Sequence, residues 1–152
     1  MNRRHAVIVS SLLLLISPAA AADEGPSPWK KLADAPRKFQ LDRAALARTL
    51  ALAPREGTEA ARGSEVDVQL PLPDGTLARF RVLESPILSA RMTEQYRIRT
   101  YQARGLDDLG ATARLDLGPT GFHALVLGSK QSVVIRPDGE GTDRYLSLPY
   151  EE

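Results

Sequence analysis

Two histidines, His5 and His123, and no cysteine are all that this chain has of the most versatile catalytic and metal-binding side chains. A Ser-His-Asp triad would have to use His123, since His5 lies in an N-terminal stretch read below as removable, and no Gly-x-Ser-x-Gly elbow accompanies it. A catalytic zinc site normally takes two or more histidines, and His-Glu-x-x-His does not occur. Glycine-rich phosphate loops of the Rossmann or Walker type are also missing. Three residues remain as candidates. Asp107 and Asp108, a carboxylate pair after Gly105, have spacing that suits either turn capping or one edge of a metal site, although calcium needs more oxygen ligands than this stretch offers. His123 falls between Phe122 and Ala124 in an alternating run, which places it on the face of a strand opposite those two, with Leu125 and Leu127. It reads either as a hydrogen-bonded strand histidine or as a ligand. Glu84 reads as a solvated carboxylate at a strand end. Arg79, Arg81, Arg97, Arg99 and Arg114 make a basic surface if the strands that carry them are neighbours.

The elements that must position these residues follow from the pattern along the chain. Residues 1–22 have the zones of a secretory signal: Arg3 and Arg4, an apolar stretch from Ala6 to Ile16, and small residues after Pro18. The apolar stretch is about half the roughly 20 residues that a helix needs to span a bilayer, so it targets the chain without anchoring it. The expected location is secreted or periplasmic, with no membrane association after cleavage. Loss of Arg3 and Arg4 takes the formal charge from +1 to about −1. That balance, with an aromatic content of 5%, gives no basic tract or stacking platform for nucleic acid.

Residues 23–40, broken by Pro26, Pro28 and Pro36, read as a flexible arm in which Trp29 is the one large ring, expected to dock on the domain it precedes. Residues 41–54 read as a helix, N-capped by Asp42, with Leu46, Leu50 and Ala53 on one face and Pro54 as its stop. Residues 55–64 read as a connector. Residues 64–150 read as a β domain, because the apolar period switches to two: Val66, Val68 and Leu70, then the turn Leu72-Pro73-Asp74-Gly75, then Ala78, Phe80 and Val82. Ile87 to Glu94 fits a short strand or a helical turn, and Tyr96 to Gln102 fits a strand. A second hairpin turns at Gly118-Pro119-Thr120-Gly121. The expectation is a mainly β fold, an antiparallel meander of about seven strands forming a sandwich or a partly open barrel, with one N-terminal helix.

An ordered set of runs resembles a known family. Leu70-Pro-Leu-Pro-Asp-Gly-Thr76, Phe80-Arg-Val-Leu-Glu-Ser-Pro86, Thr100-Tyr101, Gly105-Leu-Asp-Asp108, Ala111-Thr-Ala-Arg114 and Gly121-Phe-His-Ala124 resemble the N-terminal pro-region of secreted bacterial reprolysin-like zinc metalloproteases of the metzincin clan. Trp29, the segment from Phe39 to Leu41 and the helix ending at Pro54 fit the same region, so the likeness covers nearly all of the chain after the signal. The resemblance implies a non-catalytic pro-domain, an inhibitor and folding aid for a reprolysin-like catalytic domain supplied in cis or in trans. It is not expected to be an enzyme itself. Zinc belongs only to that partner, and no cofactor is expected in this chain. A fragment, a split-gene product and a domain that works alone all fit the absence of the extended zinc motif. A pro-domain without cysteine must cover a partner's zinc with a carboxylate such as Asp107 or Asp108, with His123, or sterically with the loop from Arg104 to Gly110. An exposed edge strand lying in the cleft as a substrate mimic is the expected mode of contact. The other expectation, from a different class, is a stand-alone exported β module that binds an envelope or extracellular protein.

Overall fold

The computed structural model describes residues 26–32 and 37–150. The expected signal peptide, 1–22, lies outside the described residues. One antiparallel sheet of nine strands dominates, in the order β1-β2-β9-β8-β7-β6-β5-β4-β3. The strands are β1 (Trp29–Lys31), β2 (Lys38–Leu41), β3 (Asp67–Pro71), β4 (Leu77–Glu84), β5 (Arg99–Gly105), β6 (Thr112–Gly118), β7 (Gly121–Leu127), β8 (Ser132–Pro137) and β9 (Arg144–Pro149). The helices are α1 (Arg43–Ala51), α2 (Glu59–Arg62) and α3 (Ala90–Tyr96). Strands β3 to β9 are the expected seven-strand meander, each paired with the next in sequence.

Three expectations are corrected. The sheet has nine strands among the described residues, because Trp29–Lys31 and Lys38–Leu41, which fall in the expected flexible arm except for Leu41 at the start of the expected helix, are strands that extend it beyond β9. Their period is hidden in runs of three and four residues, and the register that fixes them, Lys38 opposite Leu146, spans most of the chain. The strands form one curved sheet, a nearly closed barrel, which agrees with the barrel alternative of the sequence expectation. Tyr96 ends α3 and does not start a strand, because Ser89 caps the helix by accepting the Met92 N–H and Arg97 closes it in the left-handed region (φ 53°). With α2, that makes three helices among the described residues where one was expected.

Alternation sorts the sheet into two faces. Phe80, Val82, Tyr101, Leu115, Phe122, Val126, Ile135 and Tyr145 point inward and are buried, and Leu46 and Leu50 of α1 join the same core. The same core holds the small side chains of Ala103, Ala113 and Ala124 and the rings of Trp29, Phe39, Phe122 and Tyr145. Trp29 meets the other three edge-on, with centroids 6.5, 5.8 and 5.4 Å away. Helix α1 packs against β3, and Arg43 reaches the β6–β7 turn by donating to the Gly118 carbonyl at 3.0 Å. Asp42 accepts the Ala45 N–H at 2.8 Å, as the sequence expectation of an N-cap requires. Asp42→Ala is expected to cost about 1 kcal/mol, read as a lower urea midpoint with an unchanged slope.

The barrel closes through side chains. The even-numbered residues of β3 bond to β4, as the flanking bonds Val82 N–H to Val66 O and Leu72 N–H to Thr76 O show, so Gln69 and Pro71 turn their carbonyls to the open edge. The Trp29 indole N–H donates to Gln69 O at 2.8 Å, and the Ser147 hydroxyl donates to Pro71 O at 2.7 Å. Pro71 brings no N–H to that edge at all. Two acceptors on which an added strand would pair are therefore already taken.

Candidate functional site

Two recesses lie on either side of the segment Ser85–Leu88, which links β4 to α3. Its consecutive side chains alternate, with Ser85 and Ile87 lining a groove of ≈ 600 Å³ on the outer face of β5–β8, and Pro86 and Leu88 lining a crevice of ≈ 850 Å³ beneath α3. Thr100 lines both. This segment is held to β5 at three points. The Ser85 N–H donates to Thr100 O at 2.9 Å, the Thr100 hydroxyl donates to Ser85 O at 2.7 Å, and the Ile87 N–H donates to Thr100 Oγ1 at 3.2 Å. Behind it, Ser85 donates to Glu56 at 2.6 Å while Arg114 donates to the same Ser85 oxygen at 3.2 Å, and Gln102 donates to the second Glu56 oxygen at 2.6 Å. The wall between the recesses is thus tied to the sheet by a satisfied polar network, which leaves Ile87 projecting at 74% exposure.

The groove floor is built from outward residues of adjacent strands. Leu125 stands opposite Arg114 on one side and Val134 on the other, and Tyr150 forms the far wall. His123 lies in the next row, directly opposite Asp116, with Nδ1 3.0 Å from the carboxylate. That contact places the proton on Nδ1 when the ring is neutral and the carboxylate ionised, which leaves Nε2 as the acceptor nitrogen. Among the described residues no hydroxyl is hydrogen-bonded to His123, so the pair is not part of a triad there. In the crevice, Glu84 is fixed by backbone bonds to the stretch after α1, accepting from the Glu56 N–H at 2.8 Å and donating to Pro54 O at 2.9 Å. Its carboxylate lies 3.8 Å from Arg99. Arg55 and Arg97 also line this crevice, and among the described residues neither has a carboxylate within ion-pair distance.

No family model, curated protein or solved structure matches this chain. Asp107 and Asp108 lie at the opposite end of β7 from His123, and the fold does not bring the three together. Asp107 accepts from the backbone N–H, Nε and Nη2 of Arg79 at 2.7, 3.1 and 2.8 Å. Asp108 accepts from the Gly110 N–H and from the N–H and hydroxyl of Ser129 at 3.1, 3.0 and 2.6 Å. Both carboxylates hold the loop that joins β5 to β6. Among the described residues no three histidine or carboxylate side chains are grouped so as to hold a metal ion, and no helix is long and apolar enough to cross a membrane. The five arginines of the sequence reading divide: Arg79 and Arg81 pair with Asp107 and Asp67, while Arg97, Arg99 and Arg114 border the two recesses. Thr100, Ser85, Ile87 and Arg136 escaped the sequence reading. The break at Ser85-Pro86 in a strand that otherwise alternates was the one available signal.

Hydrogen bonds from Arg79 hold the Asp107 carboxyl below the usual range, and bonds from Ser129 do the same for Asp108. A depressed folded-state pKa stabilises above the unfolded value of about 3.9 and loses that contribution as pH falls through the folded value. The β5–β6 loop is expected to be unchanged from pH 8 to about 5 and to loosen below about pH 4. Amide protection at Arg79 and Ser129 that does not fall relative to β6 and β7 as the pH is lowered through the acid range would contradict this assignment.

Proposed function

We propose that this chain is a secreted, non-catalytic pro-domain that inhibits and assists the folding of a reprolysin-like zinc metalloprotease catalytic domain, in cis or in trans, and that it meets this partner with the outer face of β5–β8. The observation that carries this reading is the groove: an apolar floor at Leu125 and Val134 between two projecting walls, Ile87 and Tyr150, on a sheet face that no element of the described chain covers. Exposed apolar surface set on rigid strands is suited to a protein partner. The sequence likeness supplies the class of that partner. Contact through this face fits better than a strand-edge mimic, because Trp29 and Ser147 occupy the acceptors of the β3 edge. Steric cover of the partner's zinc fits better than ligation by Asp107 or Asp108, whose oxygens already hold their own loop.

The test mixes the segment 23–152 with a reprolysin-like catalytic domain and follows peptide hydrolysis and complex size together. Saturable inhibition with a 1:1 complex is expected. A folded segment that neither binds nor inhibits overturns the reading in favour of a stand-alone exported β module.

A further inference from the structure

We infer that the groove and the crevice act as one composite site, and that it takes an extended polypeptide segment in which apolar and acidic side chains follow one another. The inference rests on the preceding reading only in placing a protein partner on this face. The two recesses share Thr100 and are separated by a single stretch of chain whose side chains alternate between them, so one occupant crossing that wall fills both. The apolar part of the demand comes from Leu125, Val134 and Ile87. The acidic part comes from charge. Arg55, Arg97 and Arg99 border the crevice and Arg114 and Arg136 the groove, against Glu84, Glu94 and Asp116. Of these three carboxylates, Glu84 is turned toward Arg99 and Asp116 toward His123. Arg55, Arg97 and Arg136 have no carboxylate within ion-pair distance among the described residues, which leaves their guanidinium groups open to carboxylates from outside.

Steering toward an acidic partner follows from the same excess. Guanidinium groups beside an apolar floor attract a carboxylate at long range and reject a lysine in the same position, so discrimination between the two signs is the signature of the site. The rigid anchoring of Ser85–Leu88 to Thr100 means that the wall needs no reordering when a segment binds.

The experiment uses fluorescein-labelled decapeptides in which leucine alternates with glutamate or with lysine, and measures anisotropy on the segment 23–152 at low and high salt. The leucine–glutamate peptide is expected to saturate, to weaken as salt rises, and to lose about tenfold or more in affinity with Arg55→Glu or with Arg136→Glu. Both side chains are exposed, so unchanged Trp29 fluorescence serves as the control that each variant is folded. Ile87→Ser tests the apolar half and is expected to weaken the same peptide without changing its salt dependence. Equal binding of the lysine peptide, no saturation by the glutamate peptide at about 1 mM, or native affinity in both arginine variants would overturn the inference. Running the same variants against the catalytic domain separates the two readings. Inhibition that survives Arg55→Glu and Arg136→Glu keeps the pro-domain and removes the composite site, whereas peptide binding without inhibition does the reverse.

Discussion

Trp29→Ala is expected to destabilise the domain by about 3–5 kcal/mol, the range for emptying the place of a large buried ring. The indole is 5% exposed and touches three other aromatic side chains of the core. It is also the link across the seam, since its N–H is bonded to Gln69 O on the far edge of the sheet. Trp29→Phe separates the two roles. It keeps most of the packing and removes the donor, so that Gln69 O loses its partner at a cost of about 1–3 kcal/mol. Urea denaturation followed by circular dichroism reads both variants. In the native chain Trp29 is the single tryptophan, and its emission reports on this seam alone. Emission that shifts to the red before the loss of β signal would show the seam opening ahead of the barrel. A Trp29→Ala variant within 1 kcal/mol of the native stability would sink the claim that this ring closes the structure.

Gly105→Ala is expected to cost about 1–3 kcal/mol through overpacking, although β5 gives no sign in the sequence that a methyl is forbidden there. A Cβ at this position would land on the Asp108 backbone carbonyl oxygen and press on the Ala111 methyl at 3.1 Å. The Gly105 N–H is bonded to Ala111 O and the Ala111 N–H to Asp108 O, both at 2.9 Å, so the loop cannot step aside without breaking its own closure. The damage is expected to be local. Arg79 and Ser129, whose groups hold Asp107 and Asp108, should lose amide protection, whereas the β6–β7 hairpin should keep it. Native protection at both positions would mean that the loop is not held as described.

The hairpins were legible because a strand with one buried face writes its period into consecutive residues, and because Asp74-Gly75 and Pro119-Thr120 mark turns by local backbone chemistry. The N-cap at Asp42 was legible for the same reason, since it acts within one turn, whereas the bonds of Asp107 to Arg79 and of Asp108 to Ser129 were not, because those partners lie 28 and 21 residues away. His123 was placed on the outer face by alternation alone, and its partner Asp116 was not, since register across a hairpin is needed to set them opposite one another. Arg79, Arg81, Arg99 and Arg114 could be assigned to strands, whereas Arg97, expected on a strand, closes α3, and the five could not be divided into those that pair and those that border a recess.

From the sequence by itself came the meander, its inward and outward faces, the helix after Asp42 and the docking of Trp29, all of them consequences of short-range periodicity and capping. Only the tertiary structure decided that Trp29–Lys31 and Lys38–Leu41 join the sheet, that one curved sheet closes on itself through Trp29 and Ser147, and that Ser85–Leu88 becomes a wall between two recesses. Those features depend on residues tens of positions apart meeting in a set register. The burial and hydrogen bonds that stabilise such meetings appear only once the whole sheet has curved around its core.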